Sequence, residues 1–156
     1  MKIHILSVGK VRKEFIRKGE TEYIKRIERY IPLKINHIKE EKIVKNRKNS
    51  DIINKECERL IKIIPKRSWL VTLDRNGTLF SSENFARFVS ERMNAGTEHL
   101  TFIIGGALGL CSEIKNQSHT VVSLSKMTFT HEMSRLILLE QIYRSLTILK
   151  GEQYHK

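Results

Sequence analysis

An alternation limits what this chain can fold into. Five short runs rich in β-branched and aliphatic residues, at 2–8, 33–38, 69–73, 100–104 and 120–124, are separated by segments with helical spacing. Residues 11–31 place Ile16, Tyr23, Ile27 and Tyr30 at helical intervals, with Gly19 as an interior blemish and Pro32 as the stop. Residues 51–64 read as a second helix, capped by Ser50 or Asp51 and ended by Pro65. Ser82 reads as the cap of a third, with Phe85, Phe88, Val89 and Met93 as its apolar positions and Gly96 beyond its end. A short helix precedes the fifth strand, and residues 132–149 form the last helix. Strand–helix alternation of this kind predicts an α/β fold: a mostly parallel sheet with helices on both faces, in one domain spanning 1–156. Ligands of such sheets bind outside the carboxyl ends of the strands. The turns after Leu73, Ile104 and Leu124 are therefore the candidate site loops.

Charge is the next constraint. The net formal charge is +12, and its distribution is uneven. Residues 1–67 hold 20 basic and 9 acidic side chains, whereas residues 68–156 hold 9 and 8. An excess confined to the first two-fifths of the chain points to a polyanionic partner, most simply nucleic acid. The plain alternative is a solvated lysine-rich surface. No run approaches the ~20 apolar residues of a membrane span. The first eight residues are too short and polar for a signal peptide. Two cysteines, Cys57 and Cys111, make no disulfide framework and are expected to be free thiols in a reducing cytoplasm.

Three segments carry candidate chemistry. Gly105-Gly106-Ala107-Leu108-Gly109 follows the most apolar strand, where glycines let a ligand approach the backbone. Its spacing is neither a dinucleotide fingerprint nor a phosphate loop, and a tight turn is the simpler reading. Leu124-Ser125-Lys126-Met127-Thr128-Phe129-Thr130-His131 offers hydroxyls, one cation and many backbone groups at the same edge. His131-Glu132 resembles the start of a zinc helix, but Arg135 stands where the second histidine is needed, so no metal is expected. The last helix has two adjoining apolar stripes, Leu136, Leu139, Tyr143, Leu146 and Leu138, Ile142, Leu149. They suit either burial within one chain or a contact with a second copy. The tail 153–156 groups a phenol, an imidazole and a cation, and on its own reads as a frayed end.

Taken in order, Gly105-Gly106-x-x-Gly109, Leu124-Ser125-Lys126-Met127-Thr128-Phe129-x-His131, Glu140-Gln141-x-Tyr143-Arg144 and Tyr154-His155-Lys156 resemble the ribosomal large subunit methyltransferase H family, of the SPOUT class of knotted methyltransferases. Val8-Gly9-Lys10 and Tyr23-x-Lys25-Arg26 extend the resemblance to the start of the chain. It implies a C-terminal trefoil knot, which periodicity cannot reveal, and a homodimer with the site at the interface. It implies S-adenosylmethionine bound at Leu73, Gly105, Leu124, Ser125, Lys126, Met127, Thr128 and Phe129. The implied reaction is methylation at N3 of a pseudouridine in 23S ribosomal RNA, on the assembled ribosome. His155 or Tyr154 would position the base or remove its proton, and Arg144 would contact phosphate or base. Alternatives are a SPOUT enzyme acting on transfer RNA and a non-catalytic RNA- or ribosome-binding protein. Two departures from the family pattern stand out: Ala107-Leu108 between the glycines, and Thr130 where proline usually precedes the histidine.

Overall fold

Along β1 (Lys2–Val8), Ile3 and Ile5 point to one side and Leu6 and Val8 belong to the other, and all four are fully buried. A strand apolar on both sides must be covered on both sides. The structure, a computed structural model, describes residues 1–155; the side chain of His155 and the whole of Lys156 lie outside the described residues. Five strands form one parallel sheet in the order β2-β1-β4-β3-β5, with β2 at Leu33–Ile38, β3 at Ser68–Leu79, β4 at His99–Ile104 and β5 at Thr120–Ser123.

Helices α1 (Glu14–Ile27), α3 (Ser82–Asn94) and α5 (His131–Leu149) share one apolar core with β1 and β4, built around Phe102, Leu138, Leu139 and Ile142. Helices α2 (Asn49–Ile61) and α4 (Ser112–Gln117) cover the opposite face, where Leu60 and Ile114 share a core with Ile103 of β4. Both stripes of α5 are thus largely consumed within the chain, and Leu149 at its end is 40% exposed. Among the described residues, no helix is long and apolar enough to cross a membrane.

Several boundaries differ from expectation, each for a local reason. α1 begins at Glu14 and ends at Ile27; Tyr30 and Ile31 instead hydrogen-bond back to Ile27 O in a turn. Gly19 is where α1 meets α5: a Cβ there would stand 3.0 Å from Leu136. α2 starts earlier, with Lys48 at the cap position and no side-chain cap. Ser81, not Ser82, caps α3 by accepting from Asn84 N. β3 does not stop at Leu73. It bulges through 74–77 and pairs with β5 again at Thr78 and Leu79. Gly77 permits this, since a Cβ would lie 2.7 Å from Val121 O.

The expectation of free thiols is corrected. Cys57 on α2 and Cys111 at the start of α4 are joined in a disulfide, with Cα atoms 6.0 Å apart. The two residues are 54 positions apart in sequence, and only the packing of α2 on α4 brings them together.

A buried ion pair fastens α5 to the rest of the molecule. Arg135 donates to both carboxylate oxygens of Glu20 on α1, at 2.5 and 3.1 Å, and to Ser7 Oγ on β1 at 2.9 Å. Both charged side chains are under one-tenth exposed.

Candidate active site

β5, β3 and β4 are neighbours in the sheet, so the turns at their carboxyl ends are neighbours too. Gly105 has no room for a side chain: a Cβ would meet Gly109 backbone at 2.7 Å. Gly109 has φ 84° and returns a hydrogen bond to Gly106 O, at 3.0 Å. The glycine run is therefore a tight turn in its own right. Ala107 and Leu108 sit at the apex of this turn.

The stretch from Leu124 to Phe129 is irregular. Hydroxyls hold it: Ser123 Oγ donates to Ser125 O at 2.9 Å, and Ser125 Oγ accepts from Met127 N at 3.0 Å. Among the described residues, the backbone of 125–129 makes no hydrogen bond to other backbone, so apart from Ser125 O and Met127 N its polar groups are available to a ligand. Met127 is 74% exposed and Phe129 37%. Lys126 and Thr128 are also exposed. Thr130 accepts from Met133 N and caps α5, a task proline's ring cannot perform, which accounts for that departure. Near the β3 turn, Lys115 bonds Asp74 at 2.5 Å and holds its carboxyl below the usual range.

The tail forms a second cluster. Residues Gln153–His155 make a short 3-10 helix that folds back on α5. Tyr154 Oη lies 3.3 Å from both Glu140 Oε1 and Tyr23 Oη, and its ring packs edge-on against Tyr143. Arg144 donates to Glu140 Oε1 through two nitrogens, at 2.9 and 2.5 Å, and lies over the Tyr154 ring. The Glu140 hydrogen bond raises the Arg144 pKa above its ordinary value. Burial, then the Tyr23 hydrogen bond, pushes the Tyr154 phenol well above its usual value, so it keeps its proton at neutral pH. Glu140 completes this cluster, and its i,i+4 relation to Arg144 is the signal that marks it in the sequence.

Arg144 and Tyr154 are brought together, but not beside the strand-end turns. His131 opens α5 at that edge, next to Gly9. Arg144 lies farther along the helix by about 20 Å, at ~1.5 Å per residue. His155, the third tail residue expected in the site, has its side chain outside the described residues. Among the described residues, no group of three or more His, Cys, Asp or Glu side chains is placed to hold a metal ion.

A parallel sheet of this order, with an irregular segment and a glycine turn at adjacent strand ends, agrees with the family comparison: the chain belongs to the family described as "Predicted SPOUT methyltransferase", matched over residues 1–155. It is thus a member of a methyltransferase enzyme family. Among curated relatives, it is 42% identical over 159 residues to "Ribosomal RNA large subunit methyltransferase H" of Halothermothrix orenii, covering 100% of both chains. It is 44% identical to the protein of the same name from Geobacter sp. strain M21, covering 99% of each. Among solved structures, "a probable methylase family protein from Haemophilus influenzae Rd KW20" shares the fold, with TM-score 0.55 and 13% identity, over 99% of this chain and 70% of that one.

Proposed function

We propose that this protein methylates N3 of a pseudouridine in 23S ribosomal RNA, on the assembled ribosome, as a cytoplasmic homodimer using S-adenosylmethionine. The carrying observation is that the glycine turn after β4, the irregular segment after β5 and the β3 bulge after Leu73 lie on adjacent strands of a chain alike over its full length to relatives named for this class of substrate. The irregular backbone of 125–129, with no partner among other backbone groups, fits a ligand with an adenine, a ribose and an amino acid moiety, all bound well by backbone donors and acceptors. Leu73 and Leu124 would supply apolar contact, and Ser125 to Phe129 the polar ones. When bound, this cofactor supplies a methyl group already electrophilic on a sulfonium. The protein's tasks are then to align the nucleobase and to take the N3 proton.

The distance between the turns and the tail argues for two copies. The Arg144–Tyr154 cluster of one protomer, laid over the turns of the other, would complete a site that neither builds alone. In that arrangement Arg144 contacts the RNA and Tyr154, which retains its proton, orients Glu140 and Arg144. His155 is then the tail group left to accept the N3 proton. The excess of basic residues in 1–67 suits a ribosomal substrate.

Mass spectrometry of ribosomal RNA from cells lacking this protein tests the reading. The expected result is loss of one methylated pseudouridine from the 23S RNA, restored by the purified protein and S-adenosylmethionine acting on ribosomes. An unchanged modification profile would overturn it.

A further inference from the structure

Beside the glycine turn, on its β1 side, lies a cavity of about 430 Å³ at the carboxyl ends of β1, β2 and β4. Its walls are largely apolar, including Ile43, Val44, Ile52 and Ala107, and its polar groups include Glu56 and His131. Glu56 is 5% exposed. Its Oε1 accepts from Glu41 N at 2.9 Å. Its Oε2 has no hydrogen-bond donor among the described residues and lies beside Gly106, where a Cβ would stand 2.9 Å away. The missing side chain leaves that oxygen open to the cavity. Neighbouring carboxylates are already engaged: Glu40 pairs with Arg12, and Glu41 with Arg47 and Arg59. A largely buried carboxylate whose second oxygen opens on a mostly apolar cavity can accept an N–H from a ligand seated there.

We propose that this cavity receives the target nucleobase, and that Glu56 Oε2 accepts the N1–H that pseudouridine has and uridine lacks. In uridine N1 carries the ribose; in pseudouridine the ribose is on C5 and N1 is a free donor. The glycine turn borders the cavity and precedes the cofactor segment along the sheet edge, so a base held at N1 lies on the β1 side of the turn, next to the methyl donor's side. Ile43 and Val44, 59% and 50% exposed, would pack on the faces of the base. Glu56 is on this view a specificity residue. The inference rests on the function proposed above.

The test compares ribosomes carrying pseudouridine at the target position with ribosomes carrying uridine there. The wild-type protein is expected to prefer the former by about 100-fold or more, because a site built around a donor rejects the analogue lacking it. In Glu56→Gln the amide oxygen must still serve Glu41 N, which turns the NH2 toward the cavity and sets donor against donor. Turnover on pseudouridine should then fall at least ~10-fold and the preference collapse to a few-fold. Affinity for S-adenosylmethionine, by calorimetry, should change less than ~2-fold. An equal loss on both ribosomes, or a matching loss of cofactor affinity, overturns the assignment. Wild-type inactivity on both ribosomes overturns the proposed function instead. If Glu56→Gln does not fold, Glu56→Asp, which withdraws the carboxylate by one methylene, is held to the same criterion.

Discussion

Removing Glu20, the one buried acidic side chain of α1, should be strongly destabilising. Glu20→Ala leaves the Arg135 guanidinium, 5% exposed, with only Ser7 Oγ as partner. The two Glu20 oxygens satisfy two of its donors, and the pair is under one-tenth exposed, so removing the carboxylate strands those donors. Breaking one side of a buried pair costs about 3–5 kcal/mol. For a domain of this size each kcal/mol is worth ~2–4 °C, so Tm should fall by roughly 6–20 °C. Urea unfolding followed by circular dichroism, together with scanning calorimetry, measures both. The double variant Glu20→Leu/Arg135→Met separates charge from packing: with neither charge buried, stability should return to within ~1 kcal/mol of wild type. A loss below ~1 kcal/mol for Glu20→Ala would refute the reasoning, since the guanidinium would then be hydrated or re-paired at little cost.

Three further outcomes are expected. Deleting residues 154–156 should abolish methyl transfer while leaving S-adenosylmethionine affinity nearly intact, as seen by calorimetry; unimpaired turnover would exclude a catalytic tail. Association with ribosomes, measured by co-sedimentation, should weaken steeply with salt, and a flat response would make the basic excess mere solvated surface. Burial, with His99 and nearby lysines, lowers the His4 pKa to about 4 from 6.5. Between those values only the unfolded chain takes the proton, so stability is full above pH ~6.5 and should fall by roughly 1–3 kcal/mol toward pH 4. His4→Asn should remove most of that slope in urea titrations at a series of pH values.

What the sequence made legible was periodic or contiguous. The apolar strands and their order along the chain locate the carboxyl edge of the sheet, and hence the turn at Gly105 and the segment after Leu124. Features made by distant partners were not legible. Arg135 reads only as a residue standing where a zinc ligand is missing, because Glu20 is 115 positions away. Gly19 reads as a helix defect, because its reason is Leu136 on another helix. The β3 bulge hides because Asn76-Gly77 is a good turn signal, and the resumed pairing of Thr78 and Leu79 depends on Val122 and Ser123, 44 residues later. Glu56 looks like one of many helix-surface carboxylates; only burial behind Gly106 sets it apart. The tail lacks any apolar period, and its order comes from Tyr23, Tyr143 and Glu140.

The bridge between Cys57 and Cys111 has a mechanical consequence. Cys57 follows Glu56 directly, and Cys111 comes two residues after the last glycine of the turn. The covalent pin therefore joins the helix that carries the carboxylate to the joint from which the turn hangs. Opposite sides of one chamber are stapled together one residue behind its lining on the helix and three behind it on the turn, and the gap between them is fixed by a bond and not by side-chain fit alone.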